Sequence, residues 1–181
     1  MSGFQSLAQV FTAGITGTLT GVVVNVSETS PAPKGDLVVS IESVTGSALS
    51  AVPSGTVLGQ TTLRPRQVTN GANSVTFSPG IPSTSGTQYA IVLSDAADPD
   101  NLQYLWSATD TANYQGGSGE YNRGSGWSVE PPTANGPVDF LLQTYVQTAM
   151  PSSVRGCTHG GWQEYQFTSQ QQCIRAVAGQ H

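Results

Sequence analysis

Residues 18–26 run Thr-Leu-Thr-Gly-Val-Val-Val-Asn-Val, and runs of this kind recur down the chain, each followed by a cluster of Gly, Pro, Ser or Asn. β-Branched residues restrict χ1 and favour extended backbone, while turn clusters break the chain before a helix can propagate. The apolar residues show almost no 3.6-residue period, so a helical bundle is excluded and an antiparallel sandwich is expected. Strands are expected over Gln9–Thr12, Thr18–Val26, Asp36–Val44, Gln60–Leu63, Asn73–Ser78, Gln88–Ser94, Gln103–Ala108 and Val138–Val146. Gln88–Ser94 is the most apolar of these and should lie centrally. In Asp36–Val44 the inward set is either Leu37, Val39 and Ile41 or the opposite set with Val38 and Val44; the alternation does not choose. Pro79-Gly80 should end one strand, residues 47–59 should be a connection, and residues 109–136 a long polar loop. About eight strands in jelly-roll or related form follow.

The 181 residues suffice for one ordinary domain with a real core, or for such a domain with a short appendage. Only 9% of them are charged, against about 25% in an average soluble protein. Gly, Ser, Thr, Gln and Asn make up the difference, a balance common in exported β-proteins. The formal net charge is −5, and Lys34, Arg64, Arg66, Arg123, Arg155 and Arg175 are scattered. A nucleic-acid partner requires a dense cationic stripe to displace counterions, which this sequence lacks, and the same holds for an anionic membrane surface. No run approaches the roughly 20 apolar residues of a membrane span. Met1–Ser6 has neither the basic patch nor the apolar stretch of a signal peptide. By itself that points to the cytoplasm; the composition and the cysteines point instead to the mature part of an exported precursor, extracellular or at the cell surface.

Cys157 and Cys173 enclose a short loop near the C-terminus. A zinc site wants four ligands, and His159 offers at most a third. In an oxidising compartment the pair would form a disulfide worth roughly 3 kcal/mol in the chain-entropy model. A boundary near residues 148–151 divides the chain into a β-sandwich domain, 1–148, and a disulfide-stapled extension, 149–181.

The segments Gln5-Ser6-Leu7-Ala8-Gln9-Val10-Phe11-Thr12-Ala13-Gly14, Gly17-Thr18-Leu19, Pro53-Ser54-Gly55-Thr56-Val57-Leu58, Gly86-Thr87-Gln88-Tyr89-Ala90-Ile91-Val92-Leu93, Asp139-Phe140 and Thr144-Tyr145-Val146, in that order, resemble bacterial exported β-sandwich modules of the choice-of-anchor type. The tail, Cys157-Thr158-His159-Gly160-Gly161-Trp162 with Tyr165, Phe167 and Cys173-Ile174, resembles a Cys-x-x-Gly-Gly-Trp…Cys element that often ends exported bacterial proteins. That element usually carries Lys-Asn after the first cysteine and Lys-Asn-x-Gly before the second. Here Thr158-His159 and Thr168-Ser169-Gln170-Gln171 stand there, which puts any inherited binding role in doubt. The resemblance implies fold and location; neither family brings an activity.

Catalytic constellations are sparse. His159 and His181 are the two neutral-pH bases, and no nucleophile elbow, zinc-protease helix or phosphate-binding loop occurs. A Cys157–His159 pair reads better as a disulfide loop beside an exposed histidine, and Gly116-Gly117-Ser118-Gly119 as a flexible or tight turn. Glu120, Glu130 and Asp139 are the carboxylates that a glycoside hydrolase would pair. In the acidic turn after the central strand, Asp95, Asp98, Asp100 and Asn101 could supply calcium with oxygens, although the spacing is not that of an EF-hand; the alternative is a solvated turn. The feature that looks most functional is aromatic. Trp106, Tyr114, Tyr121 and Trp127, edged by Asn113, Gln115, Glu120, Asn122 and Arg123, have the chemistry of a sugar-stacking platform, with Trp127 the ring most expected to be exposed. The alternative is a loop that buries its own rings.

The expected function is therefore a non-catalytic structural or adhesion module, not an enzyme, with a glycan or a surface protein as partner and no cofactor beyond calcium. A carbohydrate-binding module using the 104–127 region is the alternative and a glycoside hydrolase a distant third. Oligomeric state is not encoded in any feature above.

Overall fold

A computed structural model describes residues 5–29, 32–98, 101–111, 114–148, 150–165 and 167–179, and for Glu164 the backbone alone. Among the described residues twelve strands follow one another: β1 (Ser6–Thr12), β2 (Gly17–Glu28), β3 (Leu37–Thr45), β4 (Val52–Leu63), β5 (Gly71–Ser83), β6 (Gln88–Asp95), β7 (Tyr104–Trp106), β8 (Ala108–Thr109), β9 (Gly119–Asn122), β10 (Trp127–Val129), β11 (Asp139–Phe140) and β12 (Leu142–Gln147). Two helices, α1 (Gly161–Glu164) and α2 (Gln170–Ala178), lie in the tail.

The strands form a six-stranded antiparallel sheet in the order β10-β9-β1-β6-β3-β4 and a second sheet in which β2 lies between β12 and β5. Beyond the start of β12, β7 continues the same edge of β2, pairing Val26 with Trp106. A two-stranded ribbon, β8 with β11, bridges them. The chain is an all-β sandwich of antiparallel sheets, as its patterning requires.

The two sheets meet through the inward residues of alternating strands. Leu37, Val39 and Ile41 of β3 all point into the main core, which settles the choice left open by the sequence. They meet Ile91 and Leu93 of β6 and Val22, Val24 and Val26 of β2, all fully or nearly fully buried. β6 lies between β1 and β3 with both edges paired, and its apolar residues are buried on both faces. Its outward residues Ala90 and Val92 join Ala8, Val10 and Ala51 in a second small core on the outer face of the six-stranded sheet. Part of the cover comes from the connection between β3 and β4, which folds back to bring the Leu49 carbonyl within 3.3 Å of Ser118 Oγ.

Three expectations are corrected. β4 begins at Val52 rather than Gln60, because register shifts around Glu42 let the ladder continue past Gly55 and Gly59. β5 runs through Pro79 and Pro82 to Ser83; it is an edge strand, where a missing N–H breaks no second ladder. Within the supposed loop 109–136, β9 and β10 form a hairpin whose turn uses left-handed glycines, Gly124 (φ 92°) and Gly126 (φ 106°).

Cys157 and Cys173 are disulfide-bonded, with Cα atoms 5.7 Å apart. Around them Val177, Trp162, Phe167 and Ile174 form a third core. Ser169 Oγ accepts from the Gln172 backbone N–H, and Gln172 Oε1 accepts from Thr168 in return, a reciprocal cap that starts α2. Among the described residues no helix is long and apolar enough to cross a membrane, which leaves β-barrel spanning unaddressed.

Candidate functional site

The four rings marked by the sequence do not share a face. On β7, Tyr104 and Trp106 alternate inward while Leu105 points out. Trp106 is 6% exposed, stacks on Phe140 with centroids 4.9 Å apart, and donates its indole N–H to the Leu141 carbonyl at 2.9 Å. It is a core residue, which corrects its place in an exposed platform. Tyr121 on β9 leans against the main core with the Arg123 guanidinium 5.1 Å from its ring centroid. Trp127 on β10 packs on the second small core, across the sheet from Tyr121, and is half-buried rather than the most exposed ring. Tyr114 is the ring left open to solvent, at 39% exposure. Asn122 accepts from the Gly124 N–H at 2.7 Å and so shapes the hairpin turn. Asn113 lies outside the described residues.

Glu120 sits under that outer face with no exposure. Its Oε1 accepts from Ser118 Oγ at 2.8 Å, while Oε2 has no partner. Burial, opposed in part by that hydroxyl and reinforced by the charge of Glu130, pushes its pKa up to about 7. Burial also raises Glu130, against the pull of Arg123.

In the acidic turn, Asp95 is buried and its Oδ1 accepts from the N–H groups of Ala97 (2.9 Å) and Asp98 (3.2 Å). It organises the turn as an Asx cap. The Asn101 N–H donates to the Asp98 carbonyl at 3.0 Å, and Asp100 lies outside the described residues. No group of three or more His, Cys, Asp or Glu side chains among the described residues is placed to hold a metal ion. His159 is exposed, and Cys157 is tied up in the disulfide rather than poised as a thiolate.

What the structure does bring together is a cleft of about 400 Å³ where β1, the β8–β11 ribbon and the start of β12 converge. Phe11, Phe140 and Leu142 line it together with Thr12, Tyr114, Gln143 and Thr144. Gln9 and Asp139 lie deepest, at 1% and 5% exposure. Gln9 occupies an inward position of β1 between Leu7 and Phe11, so its amide must be satisfied internally. Its Nε2 donates to Asp139 Oδ1 (3.1 Å) and to the Val10 carbonyl (3.1 Å), and its Oε1 accepts from the Phe140 N–H (2.6 Å). Every hydrogen-bonding capacity of the amide but one acceptor lone pair is thereby used. Asp139 Oδ2 has no partner. Burial raises the Asp139 pKa, and hydrogen bonds from Gln9 and the Tyr114 backbone partly offset it.

No family model, no curated protein and no solved structure matches this chain. The site is thus read from its own chemistry. The sequence marks Asp139 as a carboxylate and Tyr114 as a ring of a different segment, and Gln9 carries no motif. The available signal was a lone amide at an inward strand position flanked by Leu7 and Phe11.

Proposed function

We propose that the chain is a non-catalytic β-sandwich module of an exported, extracellular or cell-surface protein, with a structural or adhesive role of the kind to which the choice-of-anchor resemblance points. The observation that carries this reading is the employment of the reactive-looking residues. Trp106 fills the core, Asp95 and Asn122 shape turns, and Cys157 is consumed in a disulfide. Such a bond persists where thiols are not kept reduced, which supports export. The low charge of the chain fits a surface solvated by hydroxyls and amides.

Two measurements test it. Thiols are trapped by acid and alkylation in the intact source cells: both cysteines should resist labelling until a reductant is added, and full labelling without one would refute an oxidising location. The purified protein is incubated with chromogenic glycosides and esters. Turnover that disappears in Glu120→Gln or Asp139→Asn would make it an enzyme.

A further inference from the structure

We propose that the turn 46–51, which joins β3 to β4, is a pH-gated lid on the outer face of the six-stranded sheet, latched by the proton of Glu120 through Ser118. This goes beyond the structural role proposed above and does not depend on it. The turn folds back over the small core of Ala8, Val10, Ala90 and Val92, to which it contributes Ala51, while residues 46–50 stay exposed. Ser118 lies beneath it and Glu120 beside Ser118, both buried. Polar ties hold the turn to the sheet: Gln88 Nε2 donates to the Ala48 carbonyl at 3.1 Å, and Ser118 Oγ lies 3.3 Å from the Leu49 carbonyl. In this closed form Ala48 has φ 54°, a left-handed conformation that its Cβ disfavours, so the lid is shut under strain.

The tie at Ser118 depends on a proton. Ser118 Oγ is also 2.8 Å from Glu120 Oε1, and a hydroxyl has a single hydrogen to give. With Glu120 protonated on Oε1, the carboxyl donates to Ser118 Oγ and the hydroxyl hydrogen turns to the Leu49 carbonyl, so the relay ends on the lid. When the proton leaves to water, the carboxylate draws the hydroxyl hydrogen to itself, since a charged acceptor outcompetes a neutral one. The Leu49 carbonyl then loses its donor, and a charge with one unpartnered oxygen is left beneath the lid. Opening hydrates that charge and bares the apolar outer face of β1 and β6. Burial, opposed by Ser118 and reinforced by Glu130, holds the proton up to about pH 7, so the gate works near neutrality. Among the other charged groups, Arg123 pulls on Glu130, and Glu42 of β3 accepts from the Gly55 N–H at 3.0 Å. Tyr89, Tyr121 and Asp139 lie on the opposite face and Asp95 at the far end of β6; the turn, β4 and β10 bring no ionisable group.

The test is hydrogen exchange by NMR on the full chain at pH 5, 6, 7 and 8, each rate divided by the intrinsic rate of that amide at the same pH. Ala51 should exchange faster than Ile91 of β6 at every pH, because the turn opens without unfolding the sheet. From pH 5 to 8 its opening should become at least about tenfold more frequent. The ceiling is about seventyfold, set by a carboxyl that titrates at about 7 when covered and at 4.5 when free. Glu120→Gln is neutral at every pH and offers a donor as the protonated acid does, so it should abolish the dependence, while Glu42→Gln should leave it in place. Ser118→Ala removes the relay and should raise opening about three- to tenfold at pH 5, the worth of one neutral hydrogen bond. Should Glu120→Gln fail to fold, Ser118→Ala at pH 5 decides. Ala51 exchanging only as slowly as Ile91, an opening independent of pH, a dependence that survives in Glu120→Gln or vanishes in Glu42→Gln, or Ser118→Ala without effect at pH 5 would overturn the proposal.

Discussion

Raising the pH from 5 to 8 should destabilise this protein, and Glu120 should be the main reason. In the folded chain burial holds the Glu120 proton up to about pH 7, whereas the unfolded chain releases it near the ordinary value of 4.5. Between those values the folded state binds more protons than the unfolded one, so stability falls as pH rises through the window. The gap of about 2.5 pH units, at about 1.4 kcal/mol each, gives about 3.5 kcal/mol as an upper bound, of which about 2.5 kcal/mol falls between pH 5 and 8. For a chain of this size that is a fall in Tm of about 5–10 °C. Burial raises Glu42, Glu130 and Asp139 as well, so their contributions have the same sign, favouring the folded state at lower pH. Glu120→Gln removes the titration while keeping the shape and an acceptor for Ser118 Oγ. Scanning calorimetry at half-unit steps should show a steep fall in wild-type Tm and a distinctly flatter one in the variant. Parallel curves over pH 5–8 would refute the placement of Glu120 in a dry site.

Other perturbations separate the parts of the fold. Ile91→Ala truncates a fully buried residue of the central strand and should cost about 2–5 kcal/mol in chemical denaturation; an unchanged midpoint would refute its core position. Gly117→Ala places a Cβ against the Val10 carbonyl, a backbone atom that cannot turn aside. It should cost about 1–3 kcal/mol by overpacking, and a neutral effect in the same assay would contradict the close approach of that segment to β1. Replacing Cys157 and Cys173 by Ser removes a cross-link worth about 3 kcal/mol. Hydrogen exchange should then accelerate over residues 150–179 and stay unchanged in β6; global acceleration would show that the tail and the sandwich fold as one unit.

The strands that were legible are those with one buried face or two. β2, β3 and β6 carry dense β-branched runs because they lie inside the sheets, and their ladders extend only a residue or two beyond what the sequence marks. The illegible strands lie at an edge or next to one, and they are short. β10 ends the six-stranded sheet, β9 beside it is four residues long, and their Gly, Ser and Asn content looks like loop. The glycine run at 116–119 is informative in hindsight: Gly117 and Gly119 are small because backbone passes close by, at Val10 and Val138 respectively, not because the chain must bend. In α2 the Ser169-x-x-Gln172 cap was readable, yet nine residues give too short a period to stand out. The cleft was illegible for a different reason. Gln9 and Asp139 are 130 residues apart, and neither has meaning until the ribbon β8–β11 is laid against β1.

The sparse charge of the sequence and the unusual acids of the structure have a common physical basis. Asp95, Glu120, Asp139 and Glu42 are buried and hydrogen-bonded by neutral donors: backbone N–H groups, Ser118 and the Gln9 amide. A neutral donor compensates less for lost hydration than a guanidinium would. Burial therefore dominates where a shift is resolved, and Glu42, Glu120 and Asp139 all move upward. The opposite case is Asp110, only partly buried and bonded by Thr133 and Asn135, whose pKa falls and whose contribution is lost only on acidification. The fold is thus built to be most secure in mildly acid solution.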